Sequence, residues 1–528
     1  MTGESHSIRI VRDRRMLVDV REFSLRTGAI TFLFGESGIG KSLTARSLFG
    51  LLDPGEFDVT IDGEPYLEYL ERGAAEELRR NGFFVFQEPS SHLNPLMTLG
   101  SQLTEGMLGG TPATDQSLAG LWPGTATSDL EDLLRVFPKP HRPSGGEKQR
   151  VLCAMAFRKL DRREPGQTEG LYVFDEPTGS LDNRYRDTVL TMLCDRYRRQ
   201  RCTVLMITHD YSMISVVEKE FPDLLPDIEF KEFVLESEGV RLQDFRPETY
   251  LTWLREQTAA RPSQAETTMK GDAANVAAVR DDRPAEEHVI RSGVSTALQI
   301  ESGAKVFDRT LLIARDPEGG LESPLMLGRG KMVYLKAPSG TGKTTIAKMA
   351  LGLIPGTHFR GRIGGQEVTE ATPRRVWENE IWGRRMTMVF QHADEALNPN
   401  ATIGGALTGL PVRLDRDAQM KMVRTFYGEG TPESFLERKV SALSGGQKQR
   451  LNLMRGLVLG TDVVVLDEPL NGLDFMSMQG VLDLVKEQMR RGTAFLLISH
   501  NEEIFEAIVP PDQVYYLSAV RDGASSET

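Results

Sequence analysis

Residues 35–42 read Gly35-Glu36-Ser37-Gly38-Ile39-Gly40-Lys41-Ser42, directly after the apolar run Ile30-Thr31-Phe32-Leu33-Phe34. The run has the composition of a buried strand, and Leu43, Ala45, Leu48 and Phe49 beyond the loop fall at helical spacing. A strand, a glycine loop and a helix in that order leave backbone amides free to wrap closely around phosphates. The helix N-terminus adds partial positive charge there. In this pattern Lys41 reaches the β- and γ-phosphates and Ser42 ligates Mg²⁺. Gly35, Glu36, Ser37, Gly38 and Gly40 complete the nucleotide cradle.

The stretch returns later in the chain. Val333-Tyr334-Leu335 leads into Ala337-Pro338-Ser339-Gly340-Thr341-Gly342-Lys343-Thr344, and Ile346, Met349 and Ala350 follow. Ala337, Ser339, Gly340, Gly342, Lys343, Thr344 and Thr345 form the second candidate cradle, with Thr344 on the metal. Two further motifs repeat in the same order. Ser144-Gly145-Gly146-Glu147 returns as Ser444-Gly445-Gly446-Gln447, each followed by Lys-Gln-Arg. Leu171-Tyr172-Val173-Phe174-Asp175-Glu176 returns as Val463-Val464-Val465-Leu466-Asp467-Glu468. The offsets are 302, 300 and 292 residues, so the chain is a duplication of whole domains and not a short-period solenoid.

Each repeated motif carries its own chemistry. A Ser-Gly-Gly start offers a serine N-cap and two glycines whose amides stay open to an anion. Taken alone, it reads equally well as an ordinary helix start. The apolar runs ending in Asp-Glu look like buried parallel strands. Such a pair alone could cap a helix. At matched distance after a phosphate loop, Asp175 and Asp467 read as the Mg²⁺ shell, and Glu176 and Glu468 as the groups that orient and polarise water.

Composition bounds the rest. A chain of 528 residues exceeds one ordinary core at roughly 100–200 residues per domain. The motifs divide it into a first domain over 1–255, a polar linker over 256–295 without hydrophobic periodicity, and a second domain over 296–528. The first half is about eight residues longer between its Ser-Gly-Gly and its Asp-Glu, which marks Arg162–Gly170 as a surface insertion. The net charge of −12 argues against a nucleic-acid partner. No run of eighteen apolar residues occurs, so no membrane span is expected, and the polar start predicts a cytoplasmic protein. Cys153, Cys194 and Cys202 read as reduced thiols in the core.

The ordered set of phosphate loop, Ser-Gly-Gly, Asp-Glu and a later histidine resembles the ATP-binding-cassette family over nearly the whole chain. His209, in Ile207-Thr208-His209-Asp210, and His500, in Ile498-Ser499-His500-Asn501, match its switch histidine. Gln87 and Gln391 match its Q-loop glutamine, which in the family touches Mg²⁺ and water. Asp182 and Asp474 match its D-loop aspartate. The resemblance implies an α/β fold of two tandem P-loop NTPase domains. Each would have a mainly parallel core sheet, an antiparallel β subdomain and a helical signature subdomain. It also implies ATP and Mg²⁺ as ligands and pairing of the two cassettes within the chain. Each phosphate loop would then face the other cassette's Ser-Gly-Gly.

Leu93-Asn94-Pro95 and Leu397-Asn398-Pro399 follow the two glutamines and look like the ATPases of oligopeptide, dipeptide and nickel importers. That branch implies separate integral-membrane permeases, an extracytoplasmic solute-binding protein, and a peripheral position on the cytoplasmic face of the inner membrane. The competing class is a tandem-cassette translation factor acting on the ribosome. Such proteins carry long basic helical linkers, whereas 256–295 is of mixed charge with two prolines.

Three departures stand out. Ala337 replaces the first glycine of the loop, where a methyl group predicts restricted φ. Pro143 stands before the first Ser-Gly-Gly where Leu443 stands before the second. Both fall on the composite site of Lys343 and Ser144, which is therefore expected to be the slower one. An aromatic to stack on adenine is found only in the second half, at Phe307. Between Ile8 and Val20 there is none, leaving an arginine to pack there.

Overall fold

The computed structural model describes residues 5–104, 116–139, 143–162, 170–178, 183–236, 239–261, 296–317, 321–338, 340–408, 410, 412, 414–428 and 430–521. Of the residues singled out above, Asp182, Ser339 and most of the 162–170 insertion and of the 256–295 linker lie outside these. The chain forms two compact units, Met1–Leu251 and Thr252–Thr528.

In the first unit the motifs fall on β1 (Ile30–Gly35), α1 (Lys41–Leu48), β2 (Phe83–Val85), α2 (Gly145–Asp161), β3 (Leu171–Asp175), α3 (Asn183–Arg199), β4 (Thr203–Ile207), α4 (Ser212–Glu220) and β5 (Ile228–Glu236). The parallel strands run side by side in the order β5-β1-β4-β3-β2. β1, β3 and β4 are buried along their whole length, which is why they read as continuous apolar runs without alternation. The strands Gly239–Asp244, Arg15–Ser24, Ser5–Arg12 and Asp58–Ile61 extend the same sheet beyond β5, antiparallel except where Val240 pairs in parallel with Val20. Helices Leu99–Thr104 and Gln116–Leu121 pack on α2, and Thr127–Arg135 packs on the first of them.

The second unit repeats the plan with β6 (Met332–Lys336), α5 (Lys343–Ala350), β7 (Met386–Val389), α6 (Gly445–Val458), β8 (Val463–Asp467), α7 (Phe475–Arg490), β9 (Ala494–Ile498), α8 (Glu502–Ile508) and β10 (Val514–Arg521). Its parallel order is β10-β6-β9-β8-β7, position for position that of the first unit. Here the strands Thr296–Ile300, Leu325–Gly328, Arg360–Ile363 and Gln366–Thr369 close a separate four-stranded antiparallel sheet. A satellite core of Ile403, Leu407, Met420, Val423, Leu451 and Met454 holds its helical part together. The α/β architecture read from the motifs is thus present twice. The helix Pro247–Ala259 reaches into the stretch read as linker, because Trp253 is buried and packs edge-on against Phe475, centroids 5.5 Å apart. All three cysteines are buried and unbridged. Among the described residues no helix is long and apolar enough to cross a membrane.

Candidate functional site

In each unit the parallel order brings one end of four strands together. The segments leaving those ends are the phosphate loop, the glutamine loop, the Asp-Glu pair and the histidine loop. Open α/β sheets collect their ligands at these carboxyl ends.

The phosphate loops are shaped by glycines with positive φ: Gly35 (134°), Gly38 (82°) and Gly40 (111°) in the first, Gly340 (76°) and Gly342 (114°) in the second. Gly40 and Gly342 are the left-handed residues from which α1 and α5 start. A Cβ on Gly35 would come within 2.7 Å of Phe233 O, so that position tolerates no side chain. Ala337 avoids the problem. It is not among the positive-φ residues, so the backbone strain expected from its methyl group is not present. Lys41 Nζ donates to Gly35 O (2.6 Å) and Glu36 O (3.0 Å). Lys343 Nζ does the same to Ala337 O (2.5 Å). Both ammonium groups are therefore buried at the mouth of their loops.

Of the metal candidates, the hydroxyl and the aspartate meet in each unit, whereas Gln87 bonds Glu176 instead. Ser42 Oγ donates to Asp175 Oδ1 (2.7 Å) and Thr344 Oγ1 to Asp467 Oδ2 (2.9 Å). The other oxygens, Asp175 Oδ2 and Asp467 Oδ1, are buried without a hydrogen-bond partner. For Asp175 Oδ2 only Arg46 comes near among the described residues, at 3.9 Å. A buried carboxylate oxygen without a hydrogen bond is costly, and a hard divalent cation held by hydroxyl and carboxylate oxygen removes that cost. The donor set fits Mg²⁺. Burial pushes the Asp175 carboxyl up to about 6, against the pull of the Ser42 hydroxyl and of Arg46, and burial raises Asp467 as well.

The two glutamates carry a feature that no motif reveals. Glu176 (φ 45°) and Glu468 (φ 50°) both sit in the left-handed region, each with its amide donating across the sheet to Ile207 O (2.9 Å) or Ile498 O (2.8 Å). Non-glycine residues rarely adopt this conformation, and strain of this kind gathers at active sites. It turns each side chain off the strand end.

From there their surroundings diverge. Gln87 Nε2 donates to Glu176 Oε2 (3.0 Å), and His209 Nδ1 lies 3.1 Å from Glu176 Oε1, with the ring turned away from a straight hydrogen bond. Burial would raise Glu176, but His209 and then Lys41 outweigh it and hold the carboxyl at about 2. Burial likewise disfavours charge on His209, and Glu176 overcomes it, so the imidazole titrates above its ordinary range. Glu468 has different partners. Its Oε2 accepts from Ser499 Oγ (2.8 Å) and from the His500 amide (3.2 Å), while His500 Nε2 stays 3.6 Å from Oε1. Burial dominates and pushes Glu468 up to about 7, with the Ser499 hydroxyl pulling back only in part. Among the described residues Gln391 is not brought onto Glu468. The corresponding hydroxyl in the first unit, Thr208 Oγ1, accepts from the Asp210 amide (3.0 Å), as Ser499 Oγ does from the Asn501 amide (3.1 Å).

Ser144 and Ser444 cap α2 and α6 in complete capping boxes with Glu147 and Gln447. A Cβ at Gly145 would meet nothing within 4 Å, so the space beside this first turn is open. Gly146, Gly445 and Gly446 continue these first turns. Gln149 Nε2 to Phe86 O (3.1 Å) and Asn452 Nδ2 to Phe390 O (2.9 Å) tie each signature helix to the residue before its glutamine. Asp474 caps α7 through the Ser477 amide (2.8 Å). Phe307 is 96% exposed at a positive-φ turn, and Arg309 two residues on donates to Gly340 O of the phosphate loop (3.3 Å). The matching turn of the first unit is Asp13-Arg14, with φ of 51° and 61°.

A duplicated P-loop cassette with lysine, metal carboxylate and strained glutamate in place defines a nucleotide-hydrolysing protein. The ABC transporter family matches residues 18–179 and 323–471, more than half of the chain, and the chain belongs to that family. It binds ATP and is an ATPase. It is 29% identical over 512 residues to the peptidoglycan transport ATP-binding protein YejF of Agrobacterium fabrum, covering 93% of this chain and 86% of that one. It is 25% identical over 555 residues to the glutathione import ATP-binding protein GsiA of Escherichia coli, covering 98% and 85%. In fold it is similar to the archaeal ribosome recycling factor aABCE1, solved in complex with the ribosomal stalk protein aP1. That likeness has a TM-score of 0.57 at 18% identity over 94% of this chain and 87% of that one.

Proposed function

We propose that this chain is the ATP-hydrolysing subunit of an importer for peptides or a related small solute such as nickel or a metal chelate. It would act through separate integral-membrane permeases, with an extracytoplasmic solute-binding protein delivering the cargo. The observation that carries this reading is near-full-length similarity to two fused-cassette proteins, one named for peptidoglycan transport and one for glutathione import. The Leu-Asn-Pro after both glutamines supports the same branch. The place of action would be the cytoplasmic face of the inner membrane.

In this reading Lys41 and Lys343 bind the phosphates. Ser42 with Asp175, and Thr344 with Asp467, would hold Mg²⁺, joined by Gln87 and Gln391. The ion would neutralise charge on the phosphate oxygens. Glu176 and Glu468 orient and polarise the attacking water, and His209 and His500 steady them. Ser144 and Ser444, with the glycines after them and with Asp182 and Asp474, would complete the sites when the cassettes pair. Phe307 is the base-stacking side chain of the second cassette.

The test is co-expression with oligopeptide-type permeases. The chain should fractionate with membranes, and its ATPase rate should rise, only when they are present. Sedimentation with ribosomes, lost in high salt, would favour the translation-factor reading to which the aABCE1 likeness draws attention.

A further inference from the structure

Arg186 lies in α3, outside every motif discussed above, and is 8% exposed. A guanidinium is buried only at a large desolvation cost unless carboxylates receive it. Here Nε donates to Asp187 Oδ1 (2.9 Å) and Nη1 to Asp210 Oδ2 (3.2 Å), and Nη1 also reaches the Ser212 hydroxyl. Asp210 is the residue after His209. Its other oxygen, Oδ1, accepts from the Ser212 amide (3.0 Å), and its own amide donates to Thr208 Oγ1 (3.0 Å). The backbone on both sides of His209 is therefore fixed, and the fixing charge comes from a different element.

The second cassette keeps the amide bond to the hydroxyl before its histidine, Asn501 N donating to Ser499 Oγ (3.1 Å), but lacks the charged part of this arrangement. At matched distance from its D-loop aspartate and its histidine stand Met478, Asn501 and Glu503, in place of Arg186, Asp210 and Ser212. Methionine donates nothing, and the amide of Asn501 carries no charge to receive. The histidines differ accordingly. His209 is 16% exposed in its side chain and lies 3.1 Å from Glu176, whereas His500 is 34% exposed and lies 3.6 Å from Glu468.

We propose that Arg186 is a positioning residue for ATP hydrolysis in the first cassette: through Asp210 it clamps the loop that seats His209 against Glu176. The proposal rests on the assignment of water activation to Glu176. The rival explanation is that Asp210 only supports the start of α4, where an asparagine would serve as well.

The experiment uses the full chain carrying Glu468→Gln, so that turnover reports the first cassette. Arg186→Met and Asp210→Asn are then compared by kcat and KM for ATP. We expect kcat to fall about tenfold in both, with KM nearly unchanged, since sub-ångström misplacement of a catalytic contact acts on the chemical step. Arg186→Lys should recover part of the loss. The reverse graft, Met478→Arg with Asn501→Asp in a Glu176→Gln chain, should raise kcat of the second cassette. Unchanged kcat in Asp210→Asn, which keeps size and cap, overturns the clamp even if Arg186→Met fails to fold. If Glu176→Gln alone leaves the wild-type rate intact, the site assignment fails and the clamp falls with it. A normal loss from Glu176→Gln with no loss from Asp210→Asn refutes the clamp alone.

Discussion

The unlike surroundings of the two glutamates predict unlike pH profiles. Glu176→Gln leaves turnover to the second cassette, whose Glu468 is pushed up to about 7 by burial. Only its carboxylate can polarise water, so the active fraction falls as pH drops through that value. With a pKa of about 7, roughly nine-tenths is ionised at pH 8 and one-tenth at pH 6, a loss of about tenfold, equivalent to about 1.4 kcal/mol. The converse variant, Glu468→Gln, leaves turnover to Glu176, held at about 2 by His209 and Lys41 against its burial. It stays ionised across the same range and has no acid limb. Any limb in that variant belongs on the alkaline side, where His209, raised by Glu176, gives up its proton. The assay is phosphate release at limiting MgATP, because kcat/KM reports groups of the free enzyme. The shape of each profile carries the test, whatever its height. A flat profile from pH 8 to 6 in Glu176→Gln, or the same acid limb in Glu468→Gln, refutes the reasoning.

The same asymmetry sets stability. A carboxyl whose folded pKa is raised is most stabilising when protonated and loses that contribution as pH rises through its folded value. Glu468→Gln, a neutral isostere, should therefore raise the thermal midpoint at pH 8, by the equivalent of about 1–3 kcal/mol. Glu176, whose folded pKa is depressed, contributes stability at neutral pH, so Glu176→Gln should lower the midpoint, as seen by scanning calorimetry at pH 7. Phe307→Ala should weaken ATP binding by the second cassette by about 1 kcal/mol, measured by titration of a Lys41→Ala chain, with little change in midpoint because the ring is exposed.

Much of this was legible beforehand because each motif sits where backbone geometry leaves little choice. A short continuous apolar run before Gly35, Asp175 or Asp467 fits a strand buried on both faces, and a strand followed by glycines and a lysine specifies its loop. The strained φ of Glu176 and Glu468 was not legible, since it arises from the cross-sheet bonds of their amides and not from any propensity of glutamate. The divergence of Thr208 and Ser499 was hidden for a similar reason. Both are hydroxyls before a histidine and both accept from the amide two residues on, and only the neighbouring geometry decides that Ser499 also donates to Glu468. Arg186 and Asp210 are 24 residues apart, and no local spacing joins them. At Ala337 the sequence misled. A methyl group there implied strain, but the backbone takes a conformation that accepts it.

The central claim is that each cassette hydrolyses ATP with its own strand-end glutamate. The most direct measurement is ATP binding and phosphate release by the Glu176→Gln/Glu468→Gln chain with Mg²⁺. The account predicts one ATP bound per cassette, since lysine, hydroxyl and aspartate are untouched, and turnover reduced by about a hundredfold or more. Release at the wild-type rate would contradict it.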